Sequence, residues 1–242
     1  SPSVGVTLDP LEGVQLYTTY SSTMRAPSIM ETVAAFSTPA NLDVRPERSN
    51  NWELGVNLTG EDVVTFSDRA MVKLCYFNWD GKDYMQREAD GGASILKISN
   101  FDRARFSGLE FSSRYENDGF TADLSANYFL SVEYCKTANS CVNKTTYADY
   151  ATNHVQPKYM VNLSLSQKLL EERLTLGGRV THIGPRAVGH GDVTATGAME
   201  FIAQTRWEPY TLVDLFAQYK VSDSLTADFR VENLFDRFYV DP

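Results

Sequence analysis

No apolar run of about 18 residues, the length a helical membrane span needs, occurs anywhere in the chain. Helical spans are excluded. A barrel is not, because lipid-facing and lumen-facing residues alternate along a membrane strand and cancel in any average, here a mean hydropathy of -0.30. A sustained 3.6-residue apolar period is missing too, which excludes a helical bundle. Basic residues are outnumbered, 22 Lys and Arg against 31 Asp and Glu, and the net charge of -9 argues against nucleic acid as a partner. GxSxG, HExxH, CxxC and P-loop signatures are all absent, so no enzyme is expected. With three histidines and three cysteines, none at metal-ligand spacing, no resident metal or cofactor is expected either. Ser1–Pro2–Ser3–Val4–Gly5 is not a charged segment leading into an apolar core, so no signal peptide is expected in this stretch.

What is present is strict alternation. In the last stretch Thr211, Val213, Leu215, Ala217 and Tyr219 share one face, with Asp214, Gln218 and Lys220 opposite. After Ser222–Asp223–Ser224, Leu225, Ala227, Phe229 and Val231 alternate with Thr226, Asp228, Arg230 and Glu232. Period two with one apolar and one charged face predicts a hairpin whose arms reach the roughly ten residues that a tilted strand needs to cross a bilayer. Phe120, Ala122, Leu124, Ala126, Tyr128, Leu130 and Val132 repeat the pattern after Asn117–Asp118–Gly119, a strong hairpin turn. Further strands are marked by Val4–Leu8, Val14–Ser22, Trp52–Leu58, Ala70–Tyr76, Ile95–Tyr115, Tyr159–Leu165 and Leu174–Val180.

The connections alternate in length. Short turns are expected near 9–13, 60–67, 116–119, 169–172 and 221–224, and long loops near 23–48, 80–94, 134–156 and 184–208. An up-and-down barrel sends odd and even connections to opposite rims, and outer-membrane barrels keep short turns on one rim and long loops on the other. The expected fold is therefore all-β: a transmembrane antiparallel up-and-down barrel of about eleven strands, about half of a roughly 22-stranded plugged barrel. Residues 1–242 are read as its C-terminal portion, with the plug and first strands absent and a last strand begun at Phe238 and cut. Glu53, Asn57, Lys73, Glu110, Arg114, Asp123, Arg179, Asp228 and Arg230 fall on the lumenal face. Tyr20, Trp52, Tyr115, Phe120 and Tyr210 suit the interfacial girdles. Cys135 and Cys141, six apart in a polar segment, are a disulfide candidate, which fits an oxidising compartment; Cys75 is a packed side chain.

Several blocks also resemble the TonB-dependent outer-membrane receptors. Arg25–Ala26–Pro27, with Asn41–Leu42 and Pro46–Glu47, looks like the paired boxes of the haem and haemoglobin receptor branch. Asn100 through Glu110 resembles the family's descending-strand motif, and Glu232 to Pro242 its C-terminal signature. The resemblance implies an outer-membrane receptor that imports haem, free or held by a carrier protein, driven by the TonB complex acting through a plug. A ferric siderophore receptor is the nearest alternative, and a passive porin or adhesin barrel a further one; a soluble β-sandwich is the rival outside the membrane.

Haem as transported ligand needs an axial ligand. In haem receptors a histidine lies between the two boxes; here Ser28 to Thr38 contains none, which leans toward the siderophore. The substrate-loop candidates are His190, His154, Met30, Tyr147 and Tyr150. Arg25 and Glu47 are positioned to pair on the lumenal side, and Pro27 and Pro46 to stiffen a long loop.

Overall fold

A computed structural model describes residues 1–32, 41–89, 96–139, 141–142, 156–185, 187 and 208–239. Its strands are β1 (Ser3–Leu11), β2 (Val14–Arg25), β3 (Glu47–Glu61), β4 (Arg69–Ala89), β5 (Leu96–Asn117), β6 (Phe120–Cys135), β7 (Cys141–Val142), β8 (Tyr159–Leu169), β9 (Leu174–Ile183), β10 (Tyr210–Ser222) and β11 (Leu225–Val231), with one helical turn, α1 (Ile29–Thr32). Every pairing is antiparallel, and the sheet follows chain order from β1 to β11, with β7 standing aside on β6. Among the described residues no helix is long and apolar enough to cross a membrane.

Register confirms the two faces. Leu54, Tyr76, Leu109, Tyr128 and Tyr159 form one cross-strand row, and Leu58 and Val72 pair two rungs further down. These side chains stand on the outward face, where Leu16, Leu54, Leu74, Leu165 and Leu215 are exposed. From Trp52 to Gly60 and from Ala70 to Tyr76 no outward position is charged. In lipid each backbone polar group must be paired within the sheet, and an exposed apolar band of this kind is what acyl chains solvate. Tyr20, Trp52 and Tyr76 edge the band on one side, with Trp52 and Tyr76 edge-to-face at 5.9 Å. Tyr115 and Phe120 edge it on the other. Tyr210 does not join a girdle: it is buried on the lumenal face, against Ile183 and stacked on Tyr239.

The five short turns lie on one rim. Asp118 and Gly119 take φ of 43° and 77°, the left-handed pair that a two-residue hairpin matched to strand twist requires. The turn before β4 is organised by Asp68, only 1% exposed, whose carboxylate accepts the amides of Val63, Val64 and Thr65 and the Tyr115 hydroxyl. Burial pushes the Asp68 carboxyl up, but these donors outweigh it and hold it at about 2.

Two further expectations are corrected. The predicted loop at 80–94 is strand up to Ala89, and β4 and β5 form a hairpin of 21 and 22 residues that continues past the membrane. Lumenal-side packing holds this extension: Trp79 stacks on Phe106 at 4.9 Å, and Tyr84 and Tyr134 close on Phe106 at 6.4 and 5.6 Å. Phe101, Ala104 and Val132 are buried beneath them. The apolar phase of β6 also breaks before Val132. A bulge between Phe129 and Ser131 swings Val132 off the lipid face and into this cluster. β11 ends at Val231 because Asn233 and Asp236 adopt positive φ and the Asn233 amide donates to Asp214. Residues 236–239 are not strand.

Candidate functional site

The lumenal wall is polar and interlocked. Arg114 pairs with Asp123 and Glu116, Arg179 with Asp214, and Gln218 donates to Asp228. Lys73, Glu110, Ser112, Ser125, Asn127, Met160 and Asn162 line an open groove of about 430 Å3. Within it Asn127 keeps a buried side-chain oxygen without a hydrogen-bond partner among the described residues. A buried polar atom left this way is unfavourable by about 1–3 kcal/mol. The wall thus presents hydrogen-bonding groups to whatever fills the lumen. Bulky rings are accommodated by glycine at three directly paired positions: Tyr17 over Gly55, Phe77 over Gly108 and Phe216 over Gly177. A Cβ at Gly108 would lie 2.5 Å from the Tyr128 carbonyl oxygen and 2.7 Å from Phe77, so this cross-strand fit needs glycine.

The long-loop rim carries the two boxes. Arg25 ends β2 on the lumenal side and bridges Glu31 at 2.9 Å and Glu47 at 3.3 Å, so the expected Arg25–Glu47 pair forms with a second carboxylate added. Ser28 and Glu31 cap α1, with the Ser28 amide donating to Glu31 at 2.7 Å. Burial pushes the Glu31 carboxyl up, but the Ser28 amide and the Arg25 guanidinium outweigh it and hold it below its ordinary value. Pro27 and Pro46 flank these charges, Ala26 is exposed, and Leu42 is 82% exposed.

The second box is fastened to the β4–β5 hairpin. The Asn41 side chain donates to the Ile98 carbonyl at 2.8 Å and accepts the Asp43 amide. Asn100 accepts the Arg45 amide at 2.7 Å and donates to the Arg45 and Asp83 carbonyls at 2.9 and 2.7 Å. Arg45 pairs with the Asp83 carboxylate, and Glu47 also accepts the Met85 amide. The chain therefore re-enters the sheet at a point clamped to this hairpin, and its exit at Arg25 is tied to the hairpin through Glu47. Sequence reasoning placed Asn100 in a motif but gave it no role, and it missed Asp83 and the Met85 amide. Both lie in the stretch taken for a loop, and the contacts span 55 residues for Asn100 and 38 for Met85.

Cys135 and Cys141 are joined in a disulfide that holds β7 against β6, and Cys75 is free and buried. His182 is a strand residue, bonded to Thr211 and stacked on Tyr159. His190, His154, Tyr147 and Tyr150 lie outside the described residues, as does the side chain of Met30. Among the described residues no three His, Cys, Asp or Glu side chains group as a metal site.

A sheet with a lipid-facing band, a polar wall and sorted rims defines the wall of a membrane barrel. The TonB dependent receptor-like β-barrel family model matches residues 1–234, and the chain belongs to that family, whose barrels lie in the outer membrane. Among curated relatives, the hemophilin receptor of Acinetobacter baumannii is 27% identical over the whole chain, which spans 25% of that protein. Heme/hemopexin utilization protein C of Haemophilus influenzae (strain 86-028NP) is 24% identical over 99% of the chain, here 34% of the relative. Among solved structures, the Serratia marcescens hemophore receptor HasR, in complex with its hemophore HasA and heme, aligns over 98% of the chain and 37% of its own with a TM-score of 0.70 at 25% identity. The ferric enterobactin receptor PfeA of Pseudomonas aeruginosa, at 20% identity and a TM-score of 0.68 over 98% of the chain and 35% of its own, shares the fold. The chain thus spans about a quarter to a third of the curated relatives it matches.

Proposed function

We propose that this chain is the C-terminal part of the barrel of a receptor that imports haem, free or handed over by a carrier protein. Energy comes from the TonB complex, acting through a plug contributed by the rest of the receptor. The observation that carries the haem reading is the likeness, along the whole chain, to proteins named for hemophilin, for heme and hemopexin, and for a hemophore. The polar lumenal wall supports a plugged interior, and the clamped boxes support a cargo loop held at the long-loop rim. His190, His154, Met30, Tyr147 and Tyr150 remain the candidates for ligating haem iron. The chemistry is transport, with no bond of the cargo made or broken.

A ferric siderophore is the second reading, favoured by the absence of histidine between Ser28 and Thr38. The two separate in a haemin titration of the complete receptor in detergent. A saturable, red-shifted Soret band, weakened by His190→Ala if that residue ligates, is the expected result. No saturation with haemin or with haem loaded on a carrier protein contradicts the haem reading.

A further inference from the structure

Beyond the aromatic edge of the lipid-facing band, on the long-loop side, the outward face changes character. Trp52, Asn50 and Arg48 follow one another up β3, and Asn78, Asp80 and Lys82 run beside them on β4. Ser107, Arg105 and Arg103 continue the rows on β5. Contact fixes the face for Asn50, Asp80, Arg103 and Arg105: the Tyr20 hydroxyl donates to Asn50, Arg103 pairs with Asp80 at 2.9 Å, and Arg105 pairs with Glu133. Register extends it to Arg48 and Lys82. The uppermost row is then Arg48, Lys82 and Arg103, three cations on three neighbouring strands in direct register. Arg103 and Arg105 each have a carboxylate. Arg48 and Lys82 are exposed and have no ion pair among the described residues.

Like charges opposed across a strand pair, with Cβ atoms about 5 Å apart, are destabilising. The repulsion is unusual in a chain of net charge -9, with carboxylates in excess elsewhere. Arg48 stands four residues above Trp52. At about 3.3 Å per residue and a tilt near 40°, that is roughly 10 Å beyond the aromatic edge, at the level of lipid headgroups. An anion fixed at that level turns the repulsion into attraction.

We propose that Arg48 and Lys82, with Arg103 beside them, form a site on the barrel's outer surface for the phosphate of an outer-leaflet lipid headgroup. Arg48 supplies a planar fork for two phosphate oxygens and Lys82 a mobile ammonium for a third. Tyr20, Trp52 and Tyr76 below give the lipid's upper chain segments an aromatic ledge. The site rests on the outer-membrane placement and is independent of what the receptor imports.

The test uses the complete receptor in mild detergent, titrated with diphosphorylated lipid A, with its dephosphorylated form and with inorganic phosphate, and read by native mass spectrometry and melting temperature. Wild type is expected to retain the phosphorylated lipid and melt higher with it, and to respond to neither other probe. An Arg48→Gln/Lys82→Gln double variant is expected to bind about thirtyfold more weakly. Without lipid that variant should melt no lower than wild type, since a repulsion has been removed. A Lys82→Glu variant, which can pair with Arg48, gives a second folded form that should lose the lipid. Equal retention by wild type and these variants, or equal retention of phosphorylated and dephosphorylated lipid, overturns the site. So does saturation by inorganic phosphate alone, which marks a free-anion site.

Discussion

Asp68 is a carboxylate in the wrong place by composition alone: an acid at 1% exposure in a surface turn. It is tolerated because three amides and a phenol satisfy it. Its pKa of about 2 lies below the ordinary 3.8, so the stability it adds is fully present above about pH 4 and is lost as pH falls through 2. Amide exchange at Val63, Val64 and Thr65 should therefore be protected at neutral pH and unprotected in Asp68→Ala; equal protection in the variant sinks this role. Asn100 works similarly at longer range. Asn100→Ala removes three hydrogen bonds to Arg45 and Asp83 and should weaken the clamp locally by about 1–3 kcal/mol. The barrel should keep its heat-modifiable gel mobility while protease cuts the 26–46 segment faster and cargo affinity falls. Unchanged cleavage rules the clamp out. Neither role was legible in the sequence, where an Asp or Asn looks the same whether it faces water or three donors from another strand.

At the scale of elements, legibility followed the solvent. Lipid imposes period two, so β6 and β10 were readable wherever one face meets acyl chains, and the parity of connection lengths ordered them. Past the membrane edge both faces meet water, and the pattern fades. The upper half of β4 was for that reason read as loop, although Trp79, Phe106 and Tyr134 hold the β4–β5 extension together from three strands. Those contacts join residues far apart in sequence, which local periodicity cannot report. Trp79→Ala should destabilise the extension by about 3 kcal/mol, toward the low end for a large aromatic because the ring is only partly buried. Proteolysis should then trim the 80–105 hairpin and leave the spanning strands intact. If the hairpin resists as in wild type, the aromatic cluster is not what holds it.

For the molecule as a whole, the ends of the sheet matter most. β1 and β11 each pair on one side only, and Phe229 on β11 is 65% exposed. Open, apolar edge strands invite pairing between chains, so residues 1–242 made alone should aggregate in water and remain dispersed only in detergent. A monomeric, water-soluble product would count against the barrel. The fold and the two boxes were legible because the membrane and the family's motifs leave dense local marks. The cargo was not, because any iron ligand is one side chain in a long loop, with no periodicity to betray it. What decides the central claim is accumulation of iron-labelled haem by cells whose sole haem route is the complete receptor, with and without TonB. Accumulation that requires TonB is the predicted result. Equal accumulation without TonB marks a passive pore, and no haem accumulation beside uptake of a ferric siderophore contradicts the assigned cargo.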